Sequence, residues 1–252
     1  MRVMIYGAGG AMGKMLTACI RNSDDKILCG VDKFANPSEF SFPIYKDCAS
    51  IKEKPDCIID FSVRAGIYDF LPYAVQNNIP CVVATTGHNV EEMAFIKEAA
   101  KSIPVFKTGN MSVGISLLLQ LAKIGAKTLG HSADIEIIEQ HHNQKVDAPS
   151  GTALLLADGI KSVIPEVDYV FGRAGAVGKR TKNEIGIHAV RGGTIVGKHE
   201  VMFIMDKEVI TLKHEAESKT VFANGSINAA HYIIKQPAGL YSMEDLLKNV
   251  IF

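Results

Sequence analysis

The stretch RVMIYGAGGAMGKMLTACIRNSD, Arg2–Asp24, decides the fold. Its first five residues form an apolar, strand-like run, and its last fourteen have the spacing of an amphipathic helix. Gly7, Gly9 and Gly10 lie between the two, and Gly13 follows in the first part of the helix. Glycine permits a tight turn and a close approach of helix to strand. The stretch therefore predicts a strand–turn–helix unit that opens an α/β domain.

The alternation of strand and helix continues to about residue 112. The strand-like runs are KILCGVD, CIIDFS, PCVVATTG and PVFKTGN, and the helix-like runs are AGIYDFLPYAVQNN and VEEMAFIKEAAKSI. This spacing is typical of a parallel sheet with crossover helices. The chain then changes to a long apolar helix, an alternating strand ADIEIIEQHH, a second helix and two antiparallel-type runs, TIVGKHEVMFIM and KEVITLKHEAE. Two closing helices lead us to predict an α/β domain, an inserted α+β domain and a helical return to the first.

The glycine turn is a candidate site for a dinucleotide. Gly7, Gly10 and Gly13 fit the pattern G-x-x-G-x-x-G, in which backbone amides at the helix N-terminus bind a pyrophosphate. Such turns also occur for packing alone, which leaves an alternative open. Asp32 favours the dinucleotide, because it ends the second strand about twenty residues later, where an acid accepts the ribose hydroxyls. Lys33 follows and suits a 2′-phosphate, so the pair leaves both NADH and NADPH open.

Three polar turns follow other strands of the predicted sheet. They comprise residues 60–62, 84–87 and 108–111. Ligands of open parallel sheets bind beyond the carboxyl ends of the strands. We therefore expect these turns to form the walls of a nicotinamide pocket, although each alone is an ordinary turn.

The run EIIEQHHNQKVDAPSGTA, Glu136–Ala153, concentrates proton carriers. Hydride delivery to an unsaturated C=C–C=N system puts negative charge on the acceptor, which then needs a proton donor or a cation. His141 and Lys145 suit that task, since histidine titrates near about 6.5 and lysine near about 10.4. Adjacent strand residues point to opposite faces, so one histidine of the pair His141–His142 could face the reacting carbon while the other holds a substrate carboxylate.

The end of the same run predicts an anion site. Ser150 is a plausible helix N-cap, and the amides of Gly151 and Thr152 would then face a carboxylate. Two alternatives remain open for the histidines. One is a metal site with His131, His141 and His142, for which the usual further ligands are not evident. The other is a purely structural pair that local hydrogen bonds satisfy.

Composition limits the class of protein. A formal net charge of zero over 252 residues argues against nucleic acid as a partner. No apolar run approaches the roughly 18–20 residues that span a bilayer, and the opening strand leaves no room for a signal peptide, so we expect no membrane partner. Five cysteines without a CxxC pair favour reduced thiols and a cytoplasmic location.

Several motifs together resemble the dihydrodipicolinate reductase family. They are GAGGAMG, DFS, ATTG, TGNMSVG, EQHHNQKVDAPSGTA, RGGTIVGKHEVMF and AGLYSMEDLL, which run from the first strand to the last helix. The resemblance implies an α/β fold with a Rossmann-type dinucleotide-binding domain, residues 1–112 plus 222–252. It further implies an inserted α+β domain, residues 113–221, that binds substrate and assembles a homotetramer.

The resemblance also implies an activity and its residues. The activity is the NADH- or NADPH-dependent reduction of 4-hydroxy-tetrahydrodipicolinate, a small dicarboxylate, to tetrahydrodipicolinate in lysine and diaminopimelate biosynthesis. His141 and Lys145 would be catalytic, and His142, Gly151 and Thr152 would bind substrate. The implied cofactor contacts are Gly7, Ala8, Gly9, Gly10, Ala11, Met12, Asp32, Lys33, Ala84, Thr85, Thr86, Thr108, Gly109, Asn110 and Met111; no metal is implied.

The chain departs from the family pattern at three positions. Ala84 stands where many members have glycine, Met111 where many have phenylalanine, and His88 where an aromatic residue is common. Two other hypotheses are another Rossmann-type amino-acid dehydrogenase and a non-catalytic NAD(P)-sensing protein. The run H-H-x-x-K argues against both. The arginines and lysines of the stretch Val170–Gly193 have no derivable role, and solvent exposure is the default expectation for them.

Overall fold

The computed structural model describes residues 1–251, with side chains through Lys248. Its strands are β1 Arg2–Tyr6, β2 Lys26–Val31, β3 Ile44–Tyr45, β4 Cys57–Asp60, β5 Cys81–Val83, β6 Pro104–Lys107, β7 Asp134–His141, β8 Asp168–Phe171, β9 Glu184–Arg191, β10 Gly197–Met205, β11 Glu208–Ala216 and β12 Gly239–Tyr241. Its α-helices are α1 Ala11–Arg21, α2 Ile67–Asn77, α3 Val90–Ala100, α4 Val113–Leu129, α5 Gly151–Lys161, α6 Thr220–Ile233 and α7 Met243–Ile251. None of these helices is long and apolar enough to cross a membrane.

The elements form two compact units. The first contains Met1–Ser112 and the segment from Lys219 onward, and the second contains Val113–Ser218. The functions that the sequence assigns to residues 1–112 plus 222–252 and to residues 113–221 stay predictions.

A seven-stranded sheet forms the centre of the first unit. Its order is β12-β6-β5-β4-β1-β2-β3, and every neighbouring pair is parallel. β4 and β5 are buried at every position, as expected for strands with helices on both faces. Phe70 and Ile96 from the helices pack with Val83 and Val105 of the sheet. The predicted Rossmann-type parallel sheet is confirmed, and it brings the carboxyl ends of β1, β4, β5 and β6 to one edge.

The second unit has a mixed five-stranded sheet. Its order is β11-β10-β7-β9-β8, with antiparallel pairing on the β11 side of β7 and parallel pairing on the β8 side. Helices α4 and α5 supply Leu118 and Leu156 to a core that includes Ile137 and Phe203. The predicted α+β architecture and the antiparallel pair β10–β11 are confirmed.

Residues on β7 alternate strictly between the two faces of this sheet. Ile135, Ile137, Glu139 and His141 are buried on the helix-covered face, whereas the residues between them are partly exposed on the other face. The strand ends at His141, so His142 leaves the ladder. Glu139 and His141 therefore lie two residues apart on the same buried face.

The arginines of the stretch Val170–Gly193 are not simply solvated. Arg173 and Arg180 contact the Glu136 carboxylate at 2.9 and 3.0 Å, and Arg173 also reaches Glu184 at 2.9 Å. Arg191 binds Glu139 at 2.7 Å. The default expectation of solvent exposure is wrong for these three arginines, because carboxylates on β7 and β9 bind them. The stretch itself contains the whole of β9, which the sequence did not predict.

Candidate active site

The glycine turn between β1 and α1 has the shape that an anion requires. Gly7 has a φ of +87°, and a Cβ there would lie 2.6 Å from the carbonyl oxygen of Phe61. Gly10 is the N-cap of α1, with no side-chain cap and no acidic residue in the first helical turn. A Cβ on Gly13 would collide with the carbonyl oxygen of Gly7. The residues present therefore fit a pyrophosphate on the N-terminal amides of α1.

Asp32 lies beside this turn, directly after β2. Its Oδ2 accepts a hydrogen bond from the Gly9 amide at 2.9 Å, and its Oδ1 accepts from the amides of Phe34 and Ala35 at 2.9 and 3.0 Å. A cavity of about 330 Å³ includes Gly7, Gly10, Asp32 and Lys33 in its lining, together with Phe34 and Lys46. The phenyl ring of Phe34 is 95% exposed. The position of Asp32 fits recognition of a ribose.

A larger cavity of about 640 Å³ lies at the carboxyl ends of β4, β5 and β6. Seven of the residues expected to contact the cofactor line it, namely Met12, Ala84, Thr85, Thr86, Gly109, Asn110 and Met111. Four others, Ala8, Gly9, Ala11 and Thr108, line neither cavity. Residues 61–64 and Phe222 also line the larger one, and the predicted set omitted them. The motif DFS signals Phe61 and Ser62, whereas nothing local in the sequence signals Phe222.

A buried carboxylate and a lysine lie behind this cavity. Asp60 is 0% exposed; its Oδ1 accepts from the amide and hydroxyl of Ser62, while its Oδ2 has no hydrogen-bond partner among the described residues. Burial raises the pKa of Asp60, and the Ser62 hydrogen bonds and the charge of Lys107 only partly oppose it. Lys107 donates to the carbonyl oxygens of Thr85 at 2.8 Å and Thr108 at 3.3 Å. It thereby links two turns expected to contact the cofactor.

In the second unit, Glu139 connects several predicted site residues. Its Oε2 lies 2.6 Å from Nδ1 of His141, and its Oε1 accepts from the Ser150 amide at 2.9 Å. Arg191, the neighbour of His141 on β9, donates to both carboxylate oxygens at 2.8 and 2.7 Å. The predicted set missed Glu139 and Arg191. The alternation of β7 signals Glu139, whereas Arg191 comes from a strand that was not predicted.

Hydrogen bonds and charges set the protonation of this cluster. Burial alone would raise the pKa of Glu139, but the hydrogen bonds from Arg191, His141 and the Ser150 amide outweigh it, so its pKa lies below the usual value. Burial lowers the pKa of His141; Glu139 opposes that shift, whereas Lys145 and Arg191 add to it. At neutral pH the site therefore contains an ionised Glu139 beside a neutral His141.

A second buried histidine adjoins the cluster. His199 lies opposite Glu139 on β10, and its ring centre is 5.2 Å from that of His141. Its Nε2 is 3.1 Å from the hydroxyl of Ser150. Burial and the nearby His141 lower the pKa of His199 to about 3, so His199 stays neutral.

The loop after β7 contains the other predicted residues. Lys145 has a 22% exposed side chain and pairs with Asp147 at 2.8 Å, and His142 is partly exposed. Ser150 caps α5 by accepting the Ala153 amide, which confirms the expected N-cap. Gly151 and Thr152 form the first turn of α5, and a Cβ on Gly151 would meet nothing within 4 Å.

The metal alternative would need further ligands close to His141. The part of the chain that the structure describes contains no group of three or more His, Cys, Asp or Glu side chains arranged to hold a metal ion. His141 instead uses Nδ1 to bind Glu139.

Comparison with known proteins gives a consistent result over the whole chain. The family model described as Dihydrodipicolinate reductase, N-terminus, matches residues 1–111, and the one described as Dihydrodipicolinate reductase, C-terminus, matches residues 114–247. The 4-hydroxy-tetrahydrodipicolinate reductase of Caldanaerobacter subterraneus subsp. tengcongensis is 48% identical over 98% of each chain. That of Clostridium tetani is 45% identical over 98% of this chain and 97% of its own.

A solved structure shows the same fold. Dipicolinate-bound dihydrodipicolinate reductase from Paenisporosarcina sp. TG-14 has a TM-score of 0.82 to this chain, covers 99% of both chains and is 24% identical.

The parallel sheet, the glycine turn and the acid after β2 define a Rossmann-type oxidoreductase that uses NADH or NADPH. The family models and the relatives make the assignment narrower. The chain belongs to the dihydrodipicolinate reductase family, whose activity is the reduction of 4-hydroxy-tetrahydrodipicolinate in lysine and diaminopimelate biosynthesis. The hypotheses of another amino-acid dehydrogenase and of a non-catalytic sensing protein give way to this assignment.

Proposed function

We propose that His141 and Lys145 handle the protons of the reduction, while His142 and the first turn of α5 bind the substrate. One observation carries the proposal. The carboxylate of Glu139 contacts both His141 and the amide of Ser150, so a proton carrier and an anion-binding helix end lie within reach of one side chain.

The electrostatics of the site suit this division of roles. When bound, the reduced nicotinamide supplies a hydride, which leaves negative charge on the unsaturated ring. Lys145 offers a cation and a proton donor next to His141. Neutral His141 accepts a proton at Nε2 and, once charged, returns it with Glu139 as the counter-ion.

Substrate binding follows from the charge of a dicarboxylate. The N-terminal amides of Gly151 and Thr152 favour one carboxylate, since a helix N-terminus attracts anions. His142 and Lys145 lie on the loop that precedes this turn and suit the same anion. The Paenisporosarcina relative contains dipicolinate, which is itself a dicarboxylate and supports a site of this kind.

The cofactor site comprises the two cavities of the first unit. The glycine turn, Gly7–Met12, would hold the pyrophosphate, and Asp32 with Lys33 would meet the adenosine ribose. The turns 84–86 and 108–111 would contact the nicotinamide. Asp32 favours NADH and Lys33 tolerates NADPH, so we expect turnover with both.

We propose that the chain assembles as a homotetramer through the open face of the second sheet, the face that α4 and α5 do not cover. Ile138, Met202 and Ile204 lie on the same face there, on β7 and β10, and the exposed Val209 on β11 is the register partner of Ile204. A mixed face of this kind suits self-association. Light scattering should give four times 27.3 kDa, about 109 kDa.

We also propose a cytoplasmic location, because all five cysteines are unpaired.

The experiment that tests the proton role measures NADH and NADPH oxidation, with substrate generated by the preceding synthase. Lys145→Ala should lower kcat by about 10²-fold, the usual scale for a proton-transfer group. Lys179→Ala is the matched control, since Lys179 is exposed in the same unit. Full activity of Lys145→Ala would remove Lys145 from the mechanism.

A further inference from the structure

We infer that Glu139 is a positioning residue of the reaction: its ionised carboxylate fixes the proton of His141 on Nδ1 and aligns the ring with the first turn of α5. The inference rests on the proposed role of His141. In this proposal Glu139 contacts neither the substrate nor the cofactor and acts through the side chains next to it.

The hydrogen bonds of Glu139 are saturated. Each of its two oxygens accepts from one Arg191 nitrogen, and each also has one further donor. That donor is His141 Nδ1 for Oε2 and the Ser150 amide for Oε1. The side chain is 0% exposed, so water does not compete for these bonds. A buried carboxylate with four donors has one orientation and holds each donor in place.

The chemistry of the carboxylate decides the tautomer of the histidine. An ionised carboxylate only accepts hydrogen bonds, so His141 must donate from Nδ1. In a neutral imidazole the other nitrogen, Nε2, is then the basic atom. Gly197 keeps space beside that nitrogen, because a Cβ on Gly197 would lie 3.1 Å from it. Glu139 therefore leaves Nε2, beside Gly197 at the start of β10, as the proton-accepting atom.

Arg191 explains how a carboxylate persists in this buried position. A buried charge is tolerated when it is paired and hydrogen-bonded, and Arg191 provides a bidentate partner. Arg191 also donates to the carbonyl oxygen of Asp147 at 2.6 Å, on the same loop as Lys145. Hydrogen bonds to the Glu139–Arg191 pair thus hold His141, the loop that contains Lys145, and Ser150 in place relative to one another.

A different function of Glu139 would be to neutralise Arg191 and nothing more. The two functions predict different activities for a variant in which Glu139 and Arg191 are both replaced by uncharged residues. If Glu139 only balances charge, removing both charges restores the reaction. If Glu139 selects the tautomer, a variant with both charges removed stays impaired. It lacks the acceptor-only group that excludes the tautomer with its proton on Nε2.

The test compares Glu139→Gln with the double variant Glu139→Gln/Arg191→Met, in which no buried cation is left unpaired. Both should lose about 10²-fold in kcat, because glutamine also offers a donor to Nδ1 and permits the inactive tautomer. KM for the dicarboxylate should change by less than about threefold, since the anion-binding amides and His142 remain. Glu166→Gln, at an exposed position after α5 in the same unit, is the control and should retain wild-type kcat.

The pH profile of kcat/KM supplies a readout that loss of structure would not move. Four groups face His141: Glu139 on β7, Arg191 on β9, His199 on β10 and Lys145 on the loop. Glu139 alone among them raises the pKa of His141. Its removal should therefore shift the acidic limb of the profile to lower pH.

Two outcomes would overturn the inference. One is wild-type kcat in the double variant, which would leave Glu139 as a charge balance for Arg191. The other is a kcat loss in Glu139→Gln with an unmoved acidic limb. Failure of the underlying proposal is distinguishable, because His141→Gln would then itself retain wild-type kcat.

Discussion

The two units each contain a fully buried carboxylate near the carboxyl end of a strand, yet the pKa values of the two shift in opposite directions. Asp60 ends β4, has one oxygen without a hydrogen-bond partner among the described residues, and has a raised pKa because of burial. Glu139 lies near the end of β7, has all its acceptors filled by Arg191 and other donors, and has a lowered pKa. Both side chains are 0% exposed. Asp60 lies deeper inside the protein and has fewer donors, so desolvation and donors together set the opposite directions of the two pKa shifts.

The largest effect should come from separating the ionised pair. Arg191→Met leaves the Glu139 carboxylate buried without its bidentate partner. We expect a loss of about 3 kcal/mol in the free energy of unfolding, the low end for a broken buried pair because the Arg191 side chain is 20% exposed. Urea denaturation at one fixed protein concentration measures it. A loss below about 1 kcal/mol would mean that Glu139 does not depend on a cation.

Lys107→Met makes the corresponding change beside Asp60. Because burial raises the pKa of Asp60, Asp60 should depend less on a cation than Glu139 does, and the main loss should be the hydrogen bonds to Thr85 and Thr108. We expect KM for NADH to rise about tenfold, or about 1.4 kcal/mol, with a smaller change in kcat. Lys101→Met on the exposed end of α3 is the control. If Lys107→Met lowered the free energy of unfolding as much as Arg191→Met does, Asp60 would depend on its neighbouring cation as strongly as Glu139. That result would contradict the contrast between the two carboxyls.

The smallest effect should come from Asp60→Asn, which keeps an acceptor for Ser62. We expect a change below about 1 kcal/mol in the free energy of unfolding at pH 5, because the amide oxygen of asparagine still accepts from Ser62. The pH dependence gives the sign. A raised folded pKa means that the contribution of Asp60 is present below its unfolded pKa, about 3.9, and is lost as pH rises through the folded pKa. Asp60→Asn should therefore gain relative to wild type between pH 4 and pH 7.

Glu139→Gln should show the opposite slope in the same measurement. Its lowered folded pKa gives a contribution present above the unfolded value of about 4.3 and lost as pH falls through the folded pKa. The deficit of the variant should thus shrink toward acid pH. Parallel slopes for the two variants would contradict the assigned charges.

Periodic patterns in the sequence predicted most of the architecture. Runs such as RVMIY and ADIEIIEQHH are long enough to show a period, and both form the expected strands. β3 and β12 have two and three residues, too few for any period, so pairing at the sheet edge decides them. β9 was missed because its neighbours are rich in glycine and charge, and its stability depends on contacts with β7 such as Arg173–Glu136.

The candidate site likewise contains residues that local motifs predict and residues that only the fold brings together. The motif H-H-x-x-K and the glycine turn are local signals, and they predict His141, Lys145 and Gly7 as site residues. Arg191 adjoins His141, and Phe222 lines the cavity of about 640 Å³; both are far along the chain from these groups, so only the fold brings them there. Glu139 is the intermediate case. Its spacing from His141 was visible, but its burial and its four donors depend on β9 and on the N-cap of α5.

The exposed ring of Phe34 has a spectroscopic consequence. The chain contains no tryptophan, and Phe34 lies at the lining of the cavity that includes Asp32 and Lys33. A Phe34→Trp substitution would introduce a single indole at the proposed adenosine end of the cofactor site. Its emission would report occupancy by either cofactor in the absence of substrate, and so separate nucleotide affinity from turnover in every variant described above.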